Sequence, residues 1–160
     1  TRPIEASETG PEMLALGRSL EDLRSILART TTGDTPTVEP ACDGPTLLAM
    51  GKLARDVMVK QAVTDYAIRL VLASHPELDG APDITTRYVR YGASPRAAQA
   101  LLLAAKIRAL LEGRANASHD DVAAIARPAL RHRVILNFEG EAEGIPADHV
   151  VDQILKSVPR

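Results

Sequence analysis

The sequence lacks tryptophan and contains a single phenylalanine, Phe138, so aromatic side chains can supply little of its core. Leucine, alanine, valine and isoleucine dominate instead, and an aliphatic core rich in small residues suits closely packed helices. With 160 residues, the chain is long enough to bury such a core. The composition therefore favours an all-α fold, a small helical bundle.

Cysteine and long apolar runs are also scarce. Cys42 is the only cysteine, which excludes an internal disulfide and favours a reducing compartment, the cytoplasm. No apolar run approaches the roughly 20 residues of a membrane span, and the first five residues lack the apolar stretch of a signal peptide. The formal net charge of −2 does not indicate a general affinity for nucleic acids or membrane surfaces.

A loop rich in proline, threonine and glycine over residues 30–45 indicates that the chain consists of two parts. Residues 1–40 are expected to form a partly flexible, extended N-terminal segment that contains a connecting helix. Its apolar spacing predicts this helix over residues 12–29, most firmly from Ser19, which would cap it. Residues 41–160 are expected to form the helical domain.

Apolar periodicity predicts further helices in residues 41–160. They cover about 46–57, 60–74, 94–112, 118–130 and 147–158. Pro128 is expected to kink or end the fourth of these helices. Residues 86–91 alternate in polarity and are a candidate for one strand of a short two-stranded ribbon. Residues 139–144 are expected to form a solvated acidic turn.

The stretch from Tyr91 to Gln99 carries the clearest functional signal. Gly92 interrupts the chain, Ser94 and Pro95 are typical of a helix start, and Arg96 falls in the first helical turn. The helix macrodipole disfavours a cation there, whereas a guanidinium is well suited to bidentate recognition of phosphate. We therefore expect Arg96 to meet an anion supplied from outside this stretch. The alternative is a surface arginine paired with a nearby carboxylate.

A phosphate loop is not supported by the stretch that superficially resembles one. Six residues separate Gly44 from Gly51, and Leu53 rather than serine or threonine follows Lys52. The motif requires four intervening residues for backbone cradling and a hydroxyl for Mg²⁺ ligation. The stretch is better explained as part of an amphipathic helix.

Neither metal binding nor catalysis is predicted for this chain. The histidines are not at metal-ligand spacing and are expected to be solvated or capping residues: His75, His119, His132 and His149. No pair of carboxylates has a reason to acquire separated pKa values. Arg131 and Arg133 flank His132 after a predicted helix end, where cations are favourable; the alternative is contact with a neighbouring acidic surface.

Several blocks of the sequence, spread over about residues 20–158, resemble the C-terminal lid of MoxR-type AAA+ ATPases. The most specific are Gly92–Ala97 and the Leu-Arg-His-Arg block within Pro128–Arg133. The others are Glu21–Thr31, Val63–Val71, Ser118–Val122 and Glu141–Ile145.

The resemblance implies a helical lid packed on an α/β core domain of the same polypeptide. Arg96 would be the sensor-2 arginine, which reaches the γ-phosphate of ATP bound in that core, and Arg131 and Arg133 are candidates for interdomain contacts. ATP and Mg²⁺ would be used by the full-length protein. The family also implies a chaperone-like role, a ring homo-oligomer and a von Willebrand A-domain partner, with no nucleic acid.

The chain departs from the family in lacking a phosphate loop, a Walker B acid and an arginine-finger region. We therefore expect a fragment of an ATP-hydrolysing protein, with no catalytic residue and no activity of its own. The alternative function is a stand-alone helical module that binds proteins or nucleic acids. It would use four arginines: Arg87, Arg90, Arg131 and Arg133.

Overall fold

The computed structural model describes residues 19–31, 33 and 39–160. The chain divides into two units, Thr1–Cys42 and Asp43–Arg160. Within the described residues, no helix is both long enough and apolar enough to cross a bilayer.

The first unit contains helix α1, Leu20–Thr30. Ser19 is its N-cap, and the Ser19 hydroxyl accepts a hydrogen bond from the backbone N–H of Asp22 at 3.0 Å. The predicted cap and helix are thus confirmed over these residues. The predicted extension over 12–18 lies outside the described residues.

The second unit is a bundle of helices joined by short connections. Its helices are α2 Gly44–Asp56, α3 Gln61–Leu72, α4 Asp83–Tyr88, α5 Pro95–Leu111, α6 His119–Leu130, α7 Phe138–Ala142 and α8 Ala147–Ser157. Its strands are β1 Met58–Val59, β2 Val89–Tyr91, β3 Asn116–Ala117 and β4 Ile135–Leu136. Strand β1 pairs in parallel with β3, and β2 pairs antiparallel with β4. The all-α prediction with a short ribbon is confirmed.

Helix α5 lies at the centre of the core, in contact with α2, α3 and α6. Its fully buried residues recur every four positions and form one stripe of mostly small side chains: Ala97, Leu101, Ala105 and Ala109. Small residues on such a stripe let neighbouring helices approach closely. Tyr66 of α3 is a fully buried aromatic residue in this otherwise aliphatic core, as the composition predicts.

Two predictions concern helix α6, one its start and the other the effect of Pro128. Its start is confirmed, because Ser118 and Asp121 form a reciprocal capping box. Pro128 does not end the helix, since α6 continues through it to Leu130. Pro128 removes only one backbone hydrogen bond, while Leu130 is fully buried and Arg127 pairs with Asp152 of α8 at 2.6 Å.

The prediction of extended structure over residues 86–91 is only half correct. Residues 86–88 belong to α4, and the strand begins at Val89. Helix α4 forms because Thr85 is fully buried and its hydroxyl donates a hydrogen bond to the carbonyl of Ala73, at 2.9 Å. This contact with the end of α3 fixes a helical turn that the local sequence does not specify.

The prediction of a solvated acidic turn over residues 139–144 is half correct, because its three glutamates are exposed but only Glu143 and Gly144 are turn residues. Residues 138–142 are helical, with Asn137 as N-cap. Arg87 donates hydrogen bonds to Glu139 at 2.7 Å and to Glu143 at 2.9 Å, and the hydroxyl of Tyr88 donates to Glu143 at 2.8 Å. Two of the three glutamates thus tie the α7 region to α4.

Candidate functional site around Arg96

Arg96 is the second residue of α5 and is exposed to solvent. Within the described part of the chain, its guanidinium has no hydrogen-bond or ion-pair partner, and the first turn of α5 contains no acidic residue. The alternative pairing of Arg96 with a nearby carboxylate is therefore not observed among these residues. The cation stands at the positive end of a 17-residue helix without a compensating charge on its own turn.

Gly92 allows the turn before α5 to press against the end of α3. A Cβ atom at this position would lie 2.6 Å from Cγ and 2.7 Å from Cδ2 of His75, and 2.7 Å from the backbone oxygen of Ser74. The described glycines with positive φ are Gly80, Gly113 and Gly144. Gly92 is thus required by close approach of the two segments and not by a left-handed backbone.

Ala93 is fully buried, and both of its backbone polar groups are bound by residues that follow α3. Its N–H donates to the Ser74 hydroxyl at 2.8 Å, and that hydroxyl donates in turn to the carbonyl of Val71 at 2.6 Å. Its carbonyl lies 3.0 Å from Nε2 of His75, which donates to it. The turn that leads into Arg96 is therefore held on both sides of the Ala93 Cα.

The His75 ring is itself held from the other side. Its Nδ1 lies 3.0 Å from Oε1 of Glu77. The pKa of the Glu77 carboxyl is lowered, first by a hydrogen bond from its own backbone N–H and then by the hydrogen bond from His75. Glu77, His75 and the carbonyl of Ala93 form a chain of contacts that ends three residues before Arg96.

The prediction that His75 is a solvated or capping residue is wrong, because its side chain is only 25% exposed and it bonds a residue 18 positions away. Sequence reasoning also missed Ser74, which is completely buried. The only local signal was a polar pair at a predicted helix end before Pro76. Nothing in that pattern indicates which distant segment the two side chains contact.

Arg131 and Arg133 make contacts inside this unit. The Arg131 guanidinium pairs with Asp148 of α8 at 3.0 Å. The Arg133 guanidinium donates to the carbonyl of Ala129 at 2.6 Å, at the C-terminal end of α6, and also contacts the ring of His132. Both arrangements match the favourable placement of cations near a helix C-terminus.

The arginines of the alternative function are mostly engaged. Arg87 binds two glutamates, Arg131 and Arg133 bind the acceptors described above, and Arg90 lies over the ring of Tyr91 at 5.1 Å. Side chains committed to internal acceptors are less available for nucleic-acid phosphates. Arg96 differs from this set in having neither acceptor nor ring partner among the described residues.

The remaining sequence candidates have structural roles. Gly44 to Leu53 lies within α2, in agreement with an amphipathic helix. His119 packs edge-on against Tyr66, with 5.4 Å between ring centroids. Among the described residues, no group of three or more His, Cys, Asp or Glu side chains is placed to hold a metal ion.

The chain is similar to several known proteins. Residues 82–154 match the AAA lid domain. The chain is 32% identical over 141 residues to the chaperone MoxR1 of Mycobacterium tuberculosis, covering 88% of this chain and 37% of that protein. It is 27% identical over 140 residues to the uncharacterized protein YeaC of Bacillus subtilis, covering 86% of this chain and 40% of YeaC.

A solved structure is also similar. The crystal structure of a proposed ATPase from Cytophaga hutchinsonii superposes with a TM-score of 0.71 at 28% identity, covering 88% of this chain and 43% of that one. The chain thus spans less than half the length of each of these relatives.

Proposed function

Because this chain carries the lid domain of a MoxR-type AAA+ ATPase, we propose that Arg96 acts as its sensor-2 residue and contacts ATP bound by a core domain of the same polypeptide. In this role the lid couples its own position to the state of the nucleotide. The observation that carries the proposal is the exposed guanidinium of Arg96, which has no partner in the described residues.

The electrostatics of the turn fit a phosphate group. A cation in the first turn of a helix costs about 0.3–1 kcal/mol, and the first turn of α5 has no acid to offset it. A phosphate beside Arg96 would reverse the sign of this effect, because it would attract both the guanidinium and the positive helix end. Arg96 can bind and orient such a group through two parallel N–H donors.

The wider proposal concerns the whole protein. We infer a chaperone-like ATPase that uses ATP and Mg²⁺, assembles as a ring homo-oligomer in the cytoplasm and works with a von Willebrand A-domain protein. In this proposal the protein neither binds nucleic acid nor spans a membrane. Mg²⁺ would be held by the core domain, since the described residues of this chain offer no cluster of ligands.

The test is to replace Arg96 in a polypeptide that contains both this lid and its ATPase core. We expect Arg96→Ala to lower kcat for ATP hydrolysis by about 10²-fold, the effect of removing one preorganised donor to developing charge. Arg96→Lys should recover only part of the loss, because lysine keeps the charge but not the bidentate geometry.

Lys52→Ala is the matched control, since Lys52 is an exposed cation on α2 and has no hydrogen-bond or ion-pair partner among the described residues. It should leave turnover unchanged. The urea midpoint of the 160-residue chain should be equal to or slightly above that of the wild type for Arg96→Ala, because the change removes a cation that is unfavourable at the helix start. Wild-type turnover by Arg96→Ala would refute the proposal.

A further inference from the structure

We propose that His75 is a positioning residue for Arg96, acting through the hydrogen bond from its Nε2 to the carbonyl of Ala93. The inference rests on the proposed function, because it concerns how the chain presents Arg96 to a phosphate. His75 itself touches neither Arg96 nor, in this proposal, the nucleotide.

The first step is that α5 does not fix its own start in the usual way. Ser94 is the N-cap residue by position, with φ −66° and ψ 165°, yet its side chain makes no capping hydrogen bond among the described residues. A serine cap normally satisfies a free N–H of the first turn and sets the entry angle of the chain. The position of the first turn must therefore be set by contacts elsewhere.

The second step is that those contacts come from the end of α3. Ser74 binds the N–H of Ala93 and His75 binds its carbonyl, so rotation about either backbone bond of Ala93 breaks a hydrogen bond. Ala93 is fully buried, which prevents water from replacing a lost partner without movement. The ring of His75 also covers Gly92, where the atoms are too close for any Cβ.

The third step concerns the orientation of the ring. The carbonyl of Ala93 can only accept, so Nε2 is the donor in this contact, while Nδ1 faces the carboxylate of Glu77 on the opposite side of the ring. Glu77 holds Nδ1 at 3.0 Å and thereby points Nε2 towards Ala93. Glu77 is exposed, so its contact with Nδ1 holds the ring from the solvent side.

Two amide substitutions separate the functions of the two ring nitrogens. In His75→Gln the side-chain NH₂ group can reach the position of Nε2, whereas in His75→Asn it reaches only that of Nδ1. We expect His75→Asn to lower kcat of the core-plus-lid protein by about tenfold or more, because small misplacements of a positioned group are costly. His75→Gln should restore turnover to within about threefold of wild type.

A readout independent of hydrolysis comes from the 160-residue chain. In ¹H–¹⁵N spectra, the amide signals of Ala93 and Arg96 should shift in His75→Asn and return towards their wild-type positions in His75→Gln. Glu77→Ala changes only an exposed side chain, so it provides a second variant that should fold normally. It should produce smaller shifts in the same signals and a loss of turnover of a few-fold.

The outcomes distinguish this inference from the function on which it rests. If Arg96→Ala leaves turnover unchanged, the sensor function fails. If Arg96→Ala lowers turnover while His75→Asn and Glu77→Ala match the wild type, the positioning role of His75 is overturned. Equal losses in His75→Gln and His75→Asn would also overturn it. In an Arg96→Ala background, His75→Asn should cause no further loss, because both changes remove the same contact.

Discussion

The substitution Gly92→Ala is predicted to destabilise the second unit, although glycine-to-alanine changes are often favourable. The added Cβ would lie 2.6–2.7 Å from two ring atoms of His75 and from the carbonyl oxygen of Ser74. The ring can rotate away, but Ser74 is fully buried and its backbone cannot. The turn must therefore move by about 0.7 Å to reach an ordinary contact distance of 3.4 Å.

The expected cost follows from the packing of this turn. Inserting one methyl group into a tightly packed site typically costs about 1–3 kcal/mol, and moving the turn also weakens the two hydrogen bonds of Ala93. Gly51→Ala is the matched control. Gly51 lies within α2, and apart from its chain neighbours and the backbone of α2 no atom lies within 4 Å of the added methyl, so alanine there should stabilise the helix by about 0.5–1 kcal/mol.

Urea denaturation of the 160-residue chain, followed by far-UV circular dichroism, measures both effects. For an m-value of about 2 kcal/mol/M, a loss of 2 kcal/mol lowers the midpoint by about 1 M. Gly92→Ala should unfold at lower urea than the wild type, and Gly51→Ala at higher urea. A midpoint for Gly92→Ala at or above that of the wild type would refute the close approach at this turn.

Ser74→Ala should lower the free energy of unfolding by about 1–3 kcal/mol, because it leaves the buried N–H of Ala93 without its acceptor; urea midpoints check this, and an unchanged midpoint would contradict it. The Arg114 guanidinium holds the pKa of Asp121 well below its usual range. The resulting stabilisation is complete above the unfolded value of 3.8 and is lost as the pH falls below it. Asp121→Asn should show a shallower decline in urea midpoint between pH 4 and 2, and an equal slope would disprove this.

The parts of the fold that depend on local chemistry could be predicted from the sequence. The capping box of Ser118 and Asp121 is set by residues within one turn, so its pattern is visible in the chain. The Ser-Pro pair likewise marks where α5 begins, although the Ser94 side chain makes no capping hydrogen bond. The two short helices could not be predicted. Helix α4 depends on Thr85 reaching Ala73, and the α7 region depends on Arg87, about fifty residues away in sequence.

For the candidate site, too, only the locally determined part could be predicted from the sequence. Arg96 stands out because a cation is unfavourable in its local position, which is a property of the sequence alone. The residues that support its turn, Ser74 and His75, act across 18 or 19 positions and leave no periodic pattern. The sequence marks Gly92 as a break in the chain, whereas its physical role is to leave space for the His75 ring.

Helix α5 connects the turn of Arg96 to an apolar groove at its other end. Its 17 residues extend for about 25 Å, from the turn of Arg96 to Leu111, which is 84% exposed. Leu111 lines an apolar groove with Leu47 and Met50 of α2. Because four residues along α5 are fully buried against neighbouring helices, α5 cannot move alone, and a phosphate bound at Arg96 would act on the groove only by shifting these helices together.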